Sequence, residues 1–394
     1  MTNLSRRDFL RCGAAGLVAG AGLSIWLARS ARGDEARPLA GAGPGAGADQ
    51  PWDYAFVLLG DIHYDRWSYH DMDWVKREKP HDIHQIQGYV KVTEDFTPPL
   101  LARVAATVRS SAVPMPFVIQ IGDLVEGLCG SYDLAVQQSQ DAIAAVEAAR
   151  IGKPFLITKG NHDITGPGAP EAFDKVLLPW LGRQAGQSLS SASYTVRQGD
   201  DLFVFFDAYK PELDWLEHAL RAPARHVFFL IHPPVVPYNE RSNWSIFAAE
   251  SEVARRTHLL KLLARHQAIV LSGHLHKYGM VERRVGGDCF AQLAVCSVIR
   301  HAPTRPVHEL HGLKDYGPNL VDLNPHFSPG TLEERRHLLE VEKPYITHFD
   351  YADLPGYAVI RVGPQGVAAD TYPGFNQPLW AQEPLAPAGA VARG

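Results

Sequence analysis

The chain has 394 residues, of which 46% are hydrophobic and 21% charged, a composition typical of globular proteins that excludes disordered and collagen-like classes. It carries 38 Lys and Arg against 43 Asp and Glu, a formal net charge of −5, so it lacks the basic surface of general nucleic-acid binders. Four cysteines in a chain of this length exclude a disulfide scaffold and a zinc ribbon.

The first 33 residues have the pattern of an export signal. The run S-R-R-D-F-L from Ser5 to Leu10 precedes an uncharged stretch, Cys12–Ala28, that is rich in Ala, Gly and Leu. A positive start, an apolar middle and small residues at the end are typical of secretory signals. The S-R-R-x-F-L order resembles the twin-arginine signal read by the Tat export machinery. We therefore expect cleavage near Ser30 or Gly33 and a periplasmic or extracellular mature chain.

A membrane anchor is the alternative interpretation of this segment. Seventeen residues rich in Gly and Ala are marginal for crossing a bilayer, so we expect no stable membrane span in the mature chain. Residues 34–51 are a low-complexity sequence of Ala, Gly and Pro, which predicts a linker with nothing to pack.

Export would place the remaining cysteines, Cys129, Cys289 and Cys296, in an oxidising compartment, where an odd number leaves at least one thiol unpaired. A Cys289–Cys296 disulfide is one alternative. Because both residues lie in an apolar run, we favour core thiols.

Six β-rich apolar runs follow along the chain, and helical patterns separate several of them. The runs are Ala55–Leu59, Pro116–Ile121, Pro154–Ile157, Leu202–Phe206, His226–Ile231 and Ala268–Leu271. The helical patterns are Pro99–Arg109, Asp133–Arg150 and Glu252–His266. This alternation predicts an α/β layered fold with mainly parallel strand pairing.

Two later β patterns, Gly356–Val362 and Val367–Tyr372, are expected to finish the second sheet. The tail 381–394 is rich in Ala, Gly and Pro, and we expect it to be disordered. The folded domain is therefore predicted to span residues 52–380.

Polar side chains follow five of the six runs, where each predicted strand ends. They are Asp61 and His63, then Asp123, then Asn161, His162 and Asp163, then His232, and last His274 and His276. Taken singly, such residues are usually helix caps or turn formers. Taken together, they are the carboxylate and imidazole donors that suit Zn, Mn or Fe, and ligands gather at the carboxyl ends of strands in α/β folds.

The spacing within two of these groups supports a shared ion. In Asp61-x-His63 and His274-x-His276, both side chains would project to the same side of an extended backbone. Two metals about 3.5–4 Å apart also need a bridging carboxylate. A glycine precedes each group and permits a tight turn beside an ion.

The ordered blocks D-x-H, G-D, G-N-H-D, H and G-H-x-H resemble the calcineurin-like metallophosphoesterase superfamily. They run from Asp61 to His276, a little over half of the chain. The resemblance implies a four-layer α/β/β/α sandwich of two facing mixed sheets, with a binuclear metal centre at one end. It also implies hydrolysis of a small phosphate mono- or diester by a metal-activated hydroxide.

The resemblance assigns a role to each of these residues. The implied ligands form two groups joined by one bridge: Asp61, His63 and His276; Asn161, His232 and His274; and Asp123 between them. His162 is implied to face the leaving group. Glu126 is the expected carboxylate partner of His162, with Asp163 as its competitor or as a support behind the ligands. The two ions are divalent or trivalent, and Mn, Zn and Fe all suit this donor set.

Position 126 separates branches of the superfamily. Purple acid phosphatases carry there an iron-binding tyrosine, whereas this chain has Glu126, so we predict a colourless protein. The G-D-x-x-D-R-G block of Ser/Thr protein phosphatases is also absent, because the chain reads G-D-L-V-E-G from Gly122 to Gly127.

Two stretches exceed a minimal version of this core. Residues 64–97 are rich in aromatic residues, and they form either a lid or substrate wall or a surface excursion. Arg66 and Lys159 are candidate phosphate contacts, or else solvated charges. Residues 301–351 are expected to cover one sheet edge, and a third metal site there is disfavoured.

The leading hypothesis is an exported binuclear phosphoesterase. The first alternative is a phosphodiesterase specific for cyclic nucleotides or glycerophosphodiesters. The excess of acidic residues argues against a nuclease, and the short stretch after His276 argues against a 5′-nucleotidase. A non-catalytic binding module of the same fold is a different class, and it is disfavoured because all seven ligand positions and His162 are present.

Overall fold

The computed structural model describes residues 52–300, 306–328, 330–364 and 366–385. The expected signal 1–33 and linker 34–51 lie outside the described residues. Within the described ranges, no helix is both long and apolar enough to cross a bilayer.

Fourteen strands are described, and they fall into two sheets. In chain order they are β1 (Tyr54–Leu59), β2 (Val118–Gln120), β3 (Phe155–Ile157), β4 (Tyr194–Gln198), β5 (Asp201–Phe205), β6 (Val227–Leu230), β7 (Ile269–Ser272), β8 (Tyr278–Val285), β9 (Asp288–Ala294), β10 (Glu309–His311), β11 (Ile346–Ala352), β12 (Gly356–Gly363), β13 (Gly366–Pro373) and β14 (Ala381–Pro384).

The helices lie between these strands. They are α1 (Met72–Glu78), α2 (Ile83–Asp95), α3 (Thr97–Ser110), α4 (Tyr132–Ala148), α5 (Ala169–Ala172), α6 (Leu178–Gln184), α7 (Leu213–Ala219), α8 (Val253–Arg265) and α9 (Leu332–Glu342). Side-chain caps define where several begin: Ser131 caps α4, and Thr331 with Glu334 forms a capping box on α9, which satisfies backbone N–H groups that a first turn leaves free.

The first sheet has six strands in the order β14-β13-β12-β1-β2-β3, and the second has eight in the order β10-β11-β8-β9-β7-β6-β5-β4. Pairing is parallel through β1-β2-β3 and through β5-β6-β7-β9. The outer strands pair antiparallel, so both sheets are mixed. All six predicted strands and the two later β patterns are present, but the expectation of mainly parallel pairing is wrong.

The reason lies in short connections. Tight turns join β4 to β5, β8 to β9 and β12 to β13, and a hairpin of this length forces antiparallel pairing. The helical crossovers that indicated parallel strands occur only among the central ones.

The core shows the layering. On β6, Phe228 and Leu230 pack between the two sheets, whereas Val227 and Phe229 pack on the other face with Leu263 of α8. Between the sheets, the Phe203 and Phe228 rings stack with centroids 4.4 Å apart. Since α3 and α4 cover the other sheet, the architecture is the α/β/β/α sandwich that the resemblance implied.

The structure also tests the expectations for the C-terminal tail and for the cysteines. Ala381–Pro384 pair with β13, and Leu385 is buried, so disorder from residue 381 is wrong for these five residues. An edge strand needs only backbone pairing, which composition does not reveal. The three cysteines are free thiols, and Cys129 and Cys296 are buried. Cys289 lies near the start of the extended strand β9 and Cys296 lies two residues beyond its end, so the two are too far apart for a disulfide.

Candidate metal centre

Five loops meet at one end of the sandwich because the parallel strands of both sheets finish there. The loops after β1, β2 and β3 come from the first sheet, and those after β6 and β7 from the second. The main chain ties them together: the N–H groups of Ile62 and His63 donate to the carbonyl of Asp123. The carboxylate of Asp61 accepts the main-chain N–H of His274 at 3.0 Å, which joins the two sheets.

The first implied ligand group converges. The Nε2 atoms of His63 and His276 are 3.0 Å apart, and His276 Nε2 lies 3.6 Å from Asp61 Oδ1. One donor atom of each residue lies within 4.8 Å of the others. Asp61 and His63 are fully buried.

The second group converges beside it. His232 Nε2 lies 3.1 Å from His274 Nδ1 and 3.2 Å from Asn161 Oδ1. Asp123 Oδ2 is 3.0 Å from His232 Nε2 and 3.7 Å from His63 Nε2. Asp123 therefore lies between the two groups, where the resemblance placed the bridge.

Backbone conformation, rather than strand pleat, aims these side chains. His63, Asp123, His274 and His276 have φ values of 50°, 55°, 72° and 55°, a left-handed region that costs about 1–2 kcal/mol for a side chain other than glycine. The expectation that each D-x-H or H-x-H pair sits on an extended backbone is therefore wrong. Tight turns bring the pairs together, and such strain persists only where the surroundings impose it.

Two of the preceding glycines are required by the local geometry. Gly122 has φ +76°, a conformation that favours glycine. A Cβ on Gly160 would lie 2.1 Å from the backbone nitrogen of Asp123. A larger residue at 160 would displace the bridging position.

Burial sets the protonation of these groups. It is the main cause that lowers the pKa of His63, His274 and His276, which leaves neutral imidazoles, the form that binds metal ions. Burial also raises the pKa of the Asp61 carboxyl to about 6. A nearby cation would reverse that shift.

Glu126 lies behind two histidines. His63 Nδ1 donates to Glu126 Oε2 at 2.7 Å, and His162 Nδ1 lies 3.2 Å from the same oxygen while donating to the Glu126 main-chain carbonyl at 2.8 Å. Gln85 donates to the other carboxylate oxygen at 2.7 Å. Burial lowers the pKa of His162, but the carboxylates of Glu126 and Asp123 outweigh it and raise the value to about 9.

Asp163 does not compete for His162. Its carboxylate accepts main-chain N–H groups from Asp123, Val125 and Gly160 at 2.8–3.1 Å. It therefore holds the loops after β2 and β3 together. His232 is oriented in a similar way, because its Nδ1 donates to the Ile121 carbonyl at 2.7 Å, which turns Nε2 toward the ligands.

The aromatic stretch 64–97 packs on the centre, as a wall rather than a separate excursion. Tyr89 of α2 stacks on the His63 ring, with centroids 4.1 Å apart and 9° between the planes, and Gln85 of the same helix holds Glu126. The aromatic content, Tyr89 included, left a wall and a surface excursion as alternatives, and no local pattern singled out Gln85.

Two arginines that the sequence did not indicate flank the centre. The charges of Arg241 and Arg300, after burial, lower the pKa of His276. Arg300 lies over the Tyr89 ring at 5.2 Å, and Arg241 over Phe327 at 4.7 Å. The two cations suggested from the sequence have other partners: Lys159 pairs with Asp207 and Arg66 donates to the Tyr64 hydroxyl.

A two-sheet sandwich with a His/Asp cluster at its strand ends defines a class of metal-binding α/β proteins. Within that class, a sequence model of the calcineurin-like phosphoesterase family matches residues 54–278. The chain belongs to this family.

Similarity to individual proteins is remote. No curated protein matches the sequence significantly. A purple acid phosphatase from yellow lupin (Lupinus luteus) has 12% identity and a TM-score of 0.48, over 84% of this chain and 53% of that one. A dimetal phosphatase from Danio rerio has 13% identity and a TM-score of 0.47, over 85% and 99%. PhoD has 11% identity and a TM-score of 0.48, over 86% of this chain and 70% of that one. This chain spans about half of the lupin protein.

Proposed function

We propose that this chain is an exported, metal-dependent phosphoesterase that hydrolyses a small phosphate mono- or diester. One observation carries the proposal: all seven implied ligands converge around Asp123, and the main-chain N–H of His162 donates to the Asp123 carboxylate at 2.7 Å. Membership of the family supports the same activity. Export to the periplasm or the medium rests on the N-terminal pattern alone.

The donor set fits two metal ions. Imidazole nitrogens face each other at 3.0 Å in the His63–His276 pair and at 3.1 Å in the His232–His274 pair. Burial lowers the pKa of His63, His274 and His276, whereas the charges of Asp123 and Asp61 outweigh burial and raise the pKa of His232 to about 9. A bound cation would replace the proton of His232. Asp61, His63 and His276 would hold one ion; Asn161, His232 and His274 would hold the other; Asp123 would contact both. When bound, such ions act as Lewis acids that lower the pKa of water and neutralise phosphoryl oxygens.

His162 is placed to handle the leaving group. Its Nδ1 is held by Glu126, which leaves Nε2 as the nitrogen that carries a proton to substrate. The carboxylates of Glu126 and Asp123 raise the pKa of His162, while burial raises the pKa of Glu126 itself, so the two groups can share a proton. A protonated imidazole can donate to the departing alkoxide oxygen. Glu126 also orients His63, so one buried carboxylate links proton transfer to ligand positioning.

Arg241 and Arg300 are suited to hold the substrate. Nε of Arg241 and Nε1 of the adjacent Trp244 have no hydrogen-bond partner among the described residues, and the Trp244 ring lies 5.2 Å from that of His274. Guanidinium groups bind phosphoryl oxygens by charge-assisted hydrogen bonds. We assign Arg241 to the anionic part of the substrate and the Trp244 ring to its apolar part.

The test uses the purified chain lacking residues 1–33. Metal content is measured by mass spectrometry, together with hydrolysis of p-nitrophenyl phosphate and bis-p-nitrophenyl phosphate after Mn or Zn loading. We expect two metals per chain and turnover of at least one ester. Preference for the diester would favour a phosphodiesterase; preference for the monoester would favour a phosphatase. If the chain binds two metals but hydrolyses neither ester, the enzyme hypothesis is rejected in favour of a non-catalytic binding module.

A further inference from the structure

A second group of imidazoles and carboxylates lies away from the metal centre, between the outermost strand of the six-stranded sheet and the second strand of the eight-stranded sheet. We call it the edge cluster: His348 and Asp350 of β11, and Glu383 of β14. β11 belongs to the eight-stranded sheet and β14 to the six-stranded sheet. The cluster therefore joins the two sheets along one open side.

Its donor atoms converge as closely as those of the metal centre. His348 Nε2 lies 2.7 Å from Asp350 Oδ2 and 3.9 Å from Glu383 Oε2, and the three donor atoms lie within 4.8 Å of one another. Ligand pairs in the metal centre are 3.0–3.8 Å apart. Three donors that face a common point at this spacing are the arrangement that a single ion requires.

His348 Nε2 faces the Asp350 carboxylate at 2.7 Å, which is an ion-pair contact in the metal-free protein. A bound cation would take the place of the proton between these two groups, because a histidine ligand binds metal in its neutral form.

Negative charge exceeds positive charge around this point. In addition to Asp350 and Glu383, two further carboxylates lie here. The negative charge of Glu282 contributes to raising the pKa of His348, and Glu309 Oε1 lies 3.2 Å from His311 Nε2. His311 donates through Nδ1 to the second oxygen of Asp350 at 2.6 Å. Four carboxylates thus surround two imidazoles, and the carboxylates outnumber them even when both rings are protonated. A divalent cation would balance the excess.

We propose that His348, Asp350 and Glu383 form a third metal site that holds a divalent cation of the zinc type and fastens β14 to β11. One imidazole and two carboxylates favour Zn²⁺ over Ca²⁺ or Mg²⁺, which prefer oxygen ligands alone. Three protein ligands leave one position of a tetrahedral zinc site, which water would fill. The ion has a structural role, because the site is separate from the ligands that surround Asp123.

The proposal departs from the sequence-based expectation, which disfavoured a third metal site in residues 301–351. His348 and Asp350 lie in that stretch, but the third ligand, Glu383, comes from a segment expected to be disordered. Only the pairing of β14 brings it near.

The experiment compares zinc binding in the purified wild-type protein with three variants. Equilibrium dialysis against Zn²⁺ measures stoichiometry, and thermal unfolding is followed with and without zinc. Glu383→Gln and His348→Gln each remove one ligand; Glu309→Gln is the matched control, since it removes a carboxylate of the same edge that is not a ligand. Circular dichroism and Tm without zinc establish that each variant is folded.

We expect wild type and Glu309→Gln to bind one zinc ion more than the two ligand variants. Zinc at about 100 times the dissociation constant should also raise the Tm of these two proteins by roughly 4 °C more. Equal stoichiometry and equal Tm response in all four proteins would overturn the proposal, and so would an equal loss in Glu309→Gln. Because stoichiometry is compared between variants, the result holds whether or not the protein hydrolyses esters.

Discussion

The two ends of the sandwich differ in how their buried charged groups are compensated. At the end where β1 and β5 begin, the Asp201 carboxylate accepts hydrogen bonds from Arg225 at 2.6 and 3.0 Å, from His226 at 2.9 Å and from the Tyr54 hydroxyl at 2.9 Å. These donors lower the pKa of Asp201 well below its usual range, against the effect of burial. The network is complete in itself.

At the other end, the charged groups do not balance one another. Imidazoles face imidazoles, the pKa of the Asp61 carboxyl is raised to about 6, and four residues adopt left-handed backbone. The difference separates two kinds of buried polar cluster: one holds the sheets together with protein donors, and the other brings together donor atoms that suit cations. Substitutions should therefore affect stability at the first end and activity at the second.

The largest effect is expected for Asp123→Ala. The variant loses the carboxylate between the two ligand groups, so metal content should fall from two ions toward one or none. Activity should fall by about 10⁴-fold, because Lewis-acid stabilisation of several kcal/mol is lost. Mass spectrometry and ester hydrolysis measure the two effects, and two retained ions would refute the bridging assignment.

His162→Ala should separate chemistry from metal binding. Turnover should fall by roughly 10²–10⁴-fold, as for loss of a general acid, while both ions remain. Glu126→Gln is the companion variant: because Glu126 contacts His63 as well as His162, it should weaken metal affinity too, by about 10–100-fold. Full activity of His162→Ala would exclude its leaving-group role.

Arg241→Ala should act on substrate binding. Loss of a charge-assisted hydrogen bond worth about 1.5–3 kcal/mol predicts a fall in kcat/KM of roughly 10–100-fold, mainly through KM, with metal content unchanged. Arg255→Ala is the control, since Arg255 stacks on Phe247 and pairs with Glu252 away from the ligands. An unchanged KM for Arg241→Ala would remove this residue from the substrate site.

The smallest effect on activity is expected for Asp201→Asn, at the balanced end. The variant should lose about 1–3 kcal/mol of unfolding free energy and keep its kcat. Since the pKa of Asp201 is lower in the folded state than in the unfolded state, its contribution is complete above about pH 4 and is lost as pH falls through the folded value. Urea unfolding of the metal-free protein at pH 7, 4 and 3 should show this slope in wild type and a weaker one in the variant.

The sequence predicted most of the central sandwich and its ligands, because both leave local patterns. A buried strand followed by Asp or His is visible within ten residues, as in β1 with Asp61 and His63. The same reasoning missed β4, β8, β9, β10, β11 and β14, because none of these strands ends in a group of metal-binding residues. It also assumed the wrong backbone at His63, since strain imposed by neighbouring loops is not visible in composition.

The residues around the centre were harder to foresee for a related reason. Gln85 and Tyr89 reach the site from one helix, and Arg241 and Arg300 reach it from two other segments; no motif marks Gln85 or either arginine. Glu126 could be predicted from the sequence because it lies three residues after Asp123. Asp163 could also be predicted as a site residue, but only the structure shows that its carboxylate binds main-chain N–H groups rather than His162.

The pairing of β1 also constrains the order in which the molecule folds. β1 delivers Asp61 and His63, yet it is hydrogen-bonded along its length to β12, with Tyr54 opposite Val362. Contacts so distant in sequence form late, because closing a long loop loses conformational entropy before it gains any contacts. During synthesis β1 has one unpaired edge until β12 emerges, and an open edge invites aggregation. We therefore expect the ligand loops to be fixed only after most of the polypeptide has been made, and metal binding to follow.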